Sequence, residues 1–178
     1  MKDMNAIFAG FGGQGILFMG KAVAYAGLLQ GKEVTWMPSY GPEMRGGTAN
    51  CTVRLSDEPI DSPIIQTPNT LVVMNLPSYE QFIGRLSLGG IVVVDSFLVG
   101  KQVERTDVEA HYLPATKLAV EQGLDSLANL ILMGKLMALT EFCTLDIMKK
   151  TIEAIVPAPK SYLVEKNIEA VLLGMNYQ

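Results

Sequence analysis

The sequence predicts an α/β protein with a Rossmann-like fold: an open, mostly parallel but mixed sheet with helices on both faces. Three observations carry that expectation. Short apolar runs alternate with helix-length stretches, the pattern of successive strand–helix units. The first run, Ala6–Ala9, breaks into glycines and then a helical pattern, as a buried parallel strand does when it feeds a tight turn. The chain has 178 residues with no repeat, linker or low-complexity tract, which fits one domain, 1–178, with a substantial core.

After that first strand, Ile16, Met19, Ala22, Val23, Ala26 and Leu29 form one broad helical face between Gly13 and Leu29, and Gly27 and Gly31 mark its end. Glu33–Met37 reads as a second strand. Residues 38–47 hold two prolines and three glycines and must be a loop. Thr48–Leu55 alternates, with Ala49, Cys51, Val53 and Leu55 on one side, and its antiparallel look would make the sheet mixed. Pro59 and Pro63 suggest an edge segment after it. Leu71–Met74 and Ile91–Val94 are buried strands, with a helix from about Ser78 to Leu86 between them, and Val108–Leu113 is a last strand. The remainder is helical. Pro114 opens a helix to about Gln122, and Asp125 or Ser126 caps one to about Phe142. Thr144 caps a third that ends before Pro157, and Ser161 begins a final helix to about Gly174.

Composition removes several function classes. The net charge of −4 and a pI near 5.0 give no electrostatic reason to bind nucleic acid or an anionic membrane. Residues 5–20 carry no charge, but Gly10, Gly12, Gly13 and Gly15 interrupt them and Lys21 follows, so they suit neither a membrane span nor a signal peptide. Two cysteines, Cys51 and Cys143, cannot supply a four-thiolate cluster or zinc site, and in an acidic chain of this kind they are expected to be reduced and cytoplasmic. The single histidine, His111, sits in a strand-like stretch and reads as structural or exposed. Only 18% of the residues are charged, against about a quarter in an average soluble chain. Either part of the outer surface is covered by partners, or the chain is a compact domain with a large core.

Two glycine-rich segments carry the chemistry. Gly10, Gly12, Gly13, Gln14 and Gly15 lie in G-x-G-x-x-G, placed between a strand and a helix. Such a turn brings backbone close to a ligand and aims helix N-terminal N–H groups at an anion such as a phosphate. A tight strand–helix crossing, or a contact with a partner chain, would need the same glycines. A dinucleotide site also uses an acid at the end of the second strand, about 20 residues on. Here that strand runs into Met37-Pro38-Ser39, and Glu33 lies at its other end, which speaks against an ordinary NAD enzyme. The second segment, Ser39, Tyr40, Gly41, Pro42, Glu43, Met44, Arg45, Gly46 and Gly47, should leave the same sheet edge. Arg45 is suited to a phosphate or carboxylate, Glu43 to orienting Arg45, and Gly46-Gly47 to a close backbone approach; the plain alternative is a turn with a local ion pair. Asn129 is a polar residue in an apolar helix, either a satisfied buried group or a ligand contact. Gly134 in that helix suggests close packing, and Met133, Met137 and Met148 read as core filling. Trp36 and Tyr40 are an apolar wall or a partner contact.

Across nearly its whole length the chain resembles the gamma subunits of the 2-oxoacid:ferredoxin oxidoreductases. The resemblance rests on GFGGQG (10–15), SYGPEMRGG (39–47), TANCTVRLSDEPI (48–60), MNLPSYEQF (74–82) and the stretch PATKLAVEQG…NLILMGKL (114–136). The E-x-R-G-G form is closer to the 2-oxoglutarate and branched-chain types than to the pyruvate type. The resemblance implies a complex that oxidatively decarboxylates a 2-oxoacid to acyl-coenzyme A and passes electrons to ferredoxin. Thiamine diphosphate and iron–sulfur clusters would belong to alpha, beta and delta or ferredoxin-like partner subunits. The resemblance implies that this chain shapes the shared site and takes part in coenzyme A binding: Gly12–Gly15 would meet a phosphate or the partner chain, and Ser39–Gly47 would face the shared site, with Arg45 as the anion contact and Glu43 as its orienter, positioning rather than performing chemistry. A stand-alone nucleotide- or NAD-binding oxidoreductase is the alternative. If partners cover its surface, the isolated chain should self-associate.

Overall fold

The computed structural model describes residues 3–39 and 48–178, and its strands form one six-stranded sheet in the order β2-β3-β1-β4-β5-β6. β1 (Met4–Phe11), β4 (Thr70–Val73), β5 (Ile91–Asp95) and β6 (Glu109–Leu113) are parallel neighbours. β3 (Thr48–Ser56) runs antiparallel between β1 and β2 (Glu33–Ser39). The connection from β2 to β3 spans only residues 40–47, too short for the crossover of a dozen or more residues that a parallel neighbour requires. The chain therefore returns antiparallel, and the sheet is mixed as expected.

That return corrects two expectations. β3 separates β2 from β1, so the end of β2 lies one strand away from the glycine loop and not beside it. The Pro59–Pro63 stretch is not a strand; the sheet edges are β2 and β6.

The period-two alternation divides each strand between two cores. On one face Ala6, Phe8, Cys51, Val53, Val72 and Val93 pack beneath α1 (Ile16–Leu29), α5 (Ala128–Thr140), α6 (Leu145–Ile155) and α7 (Val164–Asn176). On the other, Ile7, Ala9, Leu71, Val73, Val92 and Val94 pack against Tyr79 and Phe82 of α2 (Leu76–Phe82). Met133, Met137 and Met148 are buried core residues. The four-residue α3 (Ser96–Val99) was not anticipated, and α4 (Ala115–Glu121) follows β6. Thr144 caps α6 by accepting a bond from the Ile147 N–H, as the sequence indicates. Neither Asp125 nor Ser126 caps α5. Its N-cap is Leu127, no side chain bonds there, and Ser126 stands in the left-handed region at φ 68°.

Both thiols are buried, and burial pushes each up to about 12 from an ordinary value of 9.0. Cys51 lies under α1 and bonds the Ile16 carbonyl at 3.6 Å. A pKa raised in the folded state means that folding favours the protonated thiol; this contribution is complete below pH 9 and is lost as pH rises through about 12. The native protein should therefore leave both thiols unmodified by a disulfide reagent at pH 8 and yield two on denaturation. Stability should fall progressively above pH 9, as read by thermal unfolding.

Candidate functional site at the glycine turn

The glycine turn sits where β1 passes into α1, at the C-terminal edge of the parallel strands. Its glycines answer to different constraints. A Cβ on Gly10 would come within 2.7 Å of Gln14 Oε1 and 2.8 Å of Ile16 Cδ1. Gly13 and Gly15 hold φ of 92° and 76°, a region that side chains with a Cβ rarely enter. A Cβ on Gly15 would also collide with the Asn129 carboxamide. Gly12 differs: it has an ordinary φ, and nothing lies within 4 Å of where its Cβ would be. No contact within the described chain accounts for glycine there.

Gln14 braces the turn. Its Oε1 accepts from the Phe11 N–H at 2.6 Å, and its Nε2 donates to the Met74 carbonyl at 3.3 Å, tying the loop to the end of β4. Asn129, near the start of α5, donates from Nδ2 to the Gly15 carbonyl at 3.0 Å, while its Oδ1 is buried without a partner. Gly15 caps α1 with no side-chain bond, so the N–H groups of the first helical turn remain available to an anion.

Three concavities surround this turn. One of about 230 Å³ lies between the glycine loop, Met74, Leu98 and Thr116; another of about 270 Å³ runs along Phe11, Gly12 and Ala49; a third of about 310 Å³ lies between Gly15, Phe18, Asn129 and Asn167. Asp95, at the end of β5, sets the wall of the first. Fully buried, it accepts from the Phe97 N–H at 3.1 Å, the Thr116 N–H at 3.1 Å and the Thr116 hydroxyl at 2.5 Å, joining β5, α3 and α4. Burial raises its carboxyl above the ordinary value, against the pull of those donors. In the sequence Asp95 simply follows the apolar run Ile91–Val94. An acid directly after four buried β-residues was the available signal.

The fold thus brings together Gly10, Gly12, Gly13, Gln14, Gly15 and Asn129. Ser39 ends the edge strand β2, exposed and paired with Asn50. Tyr40, Gly41, Glu43, Arg45, Gly46 and Gly47 lie outside the described residues. Trp36 is exposed, and its indole nitrogen lies 3.2 Å from where a Gly20 Cβ would sit. His111, on β6, is partly buried, with Nε2 3.8 Å from Glu109 Oε2. Among the described residues no group of three His, Cys, Asp or Glu side chains could hold a metal ion, and no helix is long and apolar enough to cross a membrane.

An open, mixed α/β sheet with helices on both faces and a glycine turn at its carboxyl edge defines the Rossmann-like class of folds. The chain belongs to the pyruvate ferredoxin/flavodoxin oxidoreductase family, whose model matches residues 5–177. It is 37% identical over 169 residues to the 2-oxoglutarate synthase subunit KorC of Methanocaldococcus jannaschii, covering 93% of this chain and 89% of that one. It is 40% identical over 138 residues to the ketoisovalerate oxidoreductase subunit VorA of Methanothermobacter marburgensis, covering 78% of this chain but only 29% of VorA. The chain therefore spans less than a third of that relative's length. The gamma subunit of a keto/oxoacid ferredoxin oxidoreductase from Geobacter sulfurreducens superposes with a TM-score of 0.85 at 27% identity, over 98% of this chain and 95% of that one. A 2-oxoglutarate:ferredoxin oxidoreductase from Magnetococcus marinus, solved with 2-oxoglutarate, coenzyme A and succinyl-CoA bound, gives 0.88 at 25% identity, over 98% of this chain and 31% of that one.

Proposed function

We propose that this chain is the gamma subunit of a 2-oxoacid:ferredoxin oxidoreductase, and that its glycine turn receives the phosphates of coenzyme A. Gly12 is the observation that carries the second part. Among the described residues nothing lies within 4 Å of where its Cβ would be, which leaves the position open to the close approach of a ligand. The neighbouring N–H groups of α1 favour an anion. The turn would position the coenzyme while the chemistry proceeds elsewhere.

Redox cofactors belong to partner chains in this proposal. Two buried thiols held near 12 are poor ligands for an iron–sulfur cluster, so iron–sulfur clusters and thiamine diphosphate fall to the alpha, beta and any delta or ferredoxin-like subunits. Thiamine diphosphate supplies the decarboxylation and the clusters carry the electrons. Exposed Phe97, Leu98 and Val120 near the first concavity are surface that such partners would cover, and self-association of the isolated chain follows from the same patch. The similarity to KorC and VorA supports a 2-oxoglutarate or branched-chain substrate and a cytoplasmic enzyme. The end of β2 carries Met37, Pro38 and Ser39 and no ribose-binding acid, which disfavours an independent NAD enzyme.

Co-expression with alpha, beta and delta-type chains should yield dye reduction that requires both a 2-oxoacid and coenzyme A, and omission of this chain should abolish it. The purified chain alone should show no turnover. NAD reduction by the chain alone would overturn the proposal.

A further inference from the structure

Among the described residues Asp95 is the only buried acid, and its charge is held by hydrogen-bond donors rather than by a cation. A neutral carboxamide would cap a helix without the cost of burying a charge. The sheet register explains why an acid stands there. Asp95 pairs with Leu113 at the end of β6, which sets its carboxyl beside the turn into α4. One oxygen accepts from the Phe97 N–H in the first turn of α3, and the other from the Thr116 N–H and hydroxyl in the first turn of α4. A backbone N–H can only donate, so both oxygens must accept. A carboxamide has one accepting atom and one donating atom, and would leave one of these N–H groups facing another donor.

The two helices need that brace. α3 has four residues and α4 seven, and α4 has no side-chain cap of its own. Helices of that length are marginal without packing or caps. Together they build one side of the cavity of about 230 Å³, through Leu98 of α3 and Thr116 and Val120 of α4, while Gly13 and Gln14 of the glycine turn line the other. Gln14 pins its side to the Met74 carbonyl at the end of β4. Asp95 pins the opposite side from the end of the next strand, β5.

From this geometry we infer that Asp95 is a positioning residue for the coenzyme: through Phe97 and Thr116 it holds α3 and α4 at the separation from the glycine turn that the ligand requires, without touching the ligand. The inference rests on the coenzyme A proposal above. It adds that the affinity of the turn is set in part by a carboxylate buried behind the opposite wall.

Steady-state kinetics of the assembled complex test it. Asp95→Asn should raise the KM for coenzyme A by about 3–10-fold, the equivalent of one hydrogen bond, with kcat at saturating coenzyme unchanged. Thr116→Val keeps the backbone donor and loses the hydroxyl, so it should raise KM in the same direction by a smaller factor. Thr116→Ser keeps both donors and should restore the wild-type KM. Ile152→Val, in the buried core under α6, should lower Tm and leave KM where it was, which separates positioning from loss of stability. If Asp95→Asn fails to accumulate, the Thr116 pair decides the matter. An unchanged KM in a folded Asp95→Asn complex, a fall in kcat with KM unaltered, or equal KM shifts in Thr116→Val and Ile152→Val would overturn the positioning role and leave the subunit and coenzyme readings standing. A complex with no coenzyme A requirement would overturn the coenzyme proposal itself.

Discussion

Alanine at Gly134 or at Gly174 is expected to destabilise the protein severely. The two glycines face each other where α5 crosses α7. A Cβ at Gly134 would overlap the Val171 carbonyl, and one at Gly174 would overlap the Ile131 carbonyl. These are backbone atoms, which cannot swing aside as a flexible side chain can. Ordinary overpacking costs about 1–3 kcal/mol, and prising two helices apart belongs at or above the top of that range. In a chain of this size each kcal/mol lowers Tm by roughly 2–4 °C, so a loss on the order of 10 °C or failure to accumulate folded protein should follow. The sign of the result is decisive. Helix propensity alone would make Gly→Ala stabilising by about 1 kcal/mol, so a raised Tm would show that the helices do not meet through these glycines. Gly84 provides the control. It has an ordinary φ and open space around its Cβ position, and Gly84→Ala should be neutral or slightly stabilising.

Gly12→Ala is expected to do the opposite: leave Tm within about 1 °C while the assembled complex loses its affinity for coenzyme A. Among the described residues there is room for that methyl, so none of their contacts is disturbed. A phosphate drawn to the α1 N-terminus would meet the methyl instead of backbone. Loss of one charge-assisted hydrogen bond, about 1.5–3 kcal/mol, corresponds to a rise in KM of roughly 10–100-fold. Gly15→Ala should differ from it by damaging both properties. Its φ of 76° costs a side chain about 1–2 kcal/mol, and its Cβ would displace Asn129. If Gly12→Ala lowered Tm as much as Gly15→Ala does, the open space beside Gly12 would be structural and the ligand assignment of the turn would fall.

Much of the architecture is legible in the sequence. The buried runs Leu71–Met74 and Ile91–Val94 became β4 and β5 with boundaries moved by a single residue, because four apolar β-branched or aliphatic residues between turn signals leave little choice. The Thr144 cap was equally plain, since a threonine before a helical pattern acts through its own nearest neighbours. The α5 start was misplaced because Asp125 and Ser126 carry the right chemistry, yet a tertiary bond settled the matter. Asn129 is drawn onto the Gly15 carbonyl and the helix begins beside it. The short α3 escaped because its N-cap, Asp95, reads as the last residue of a strand.

The candidate site divides in the same way. Sequence by itself determined the class of fold, the glycine turn, the absent ribose acid and the poverty of thiols, since each is a matter of residue type at local spacing. Only the tertiary structure decided which glycine answers to backbone conformation, which to a neighbouring side chain and which to neither. It also placed β3 between β1 and β2, brought Asn129 and Asn167 to one cavity from helices far apart in the chain, and made Asp95 a brace. Steric room, burial and an unmet hydrogen bond are properties of neighbours. Neighbours that distant in sequence exist only once the two cores have closed around the sheet.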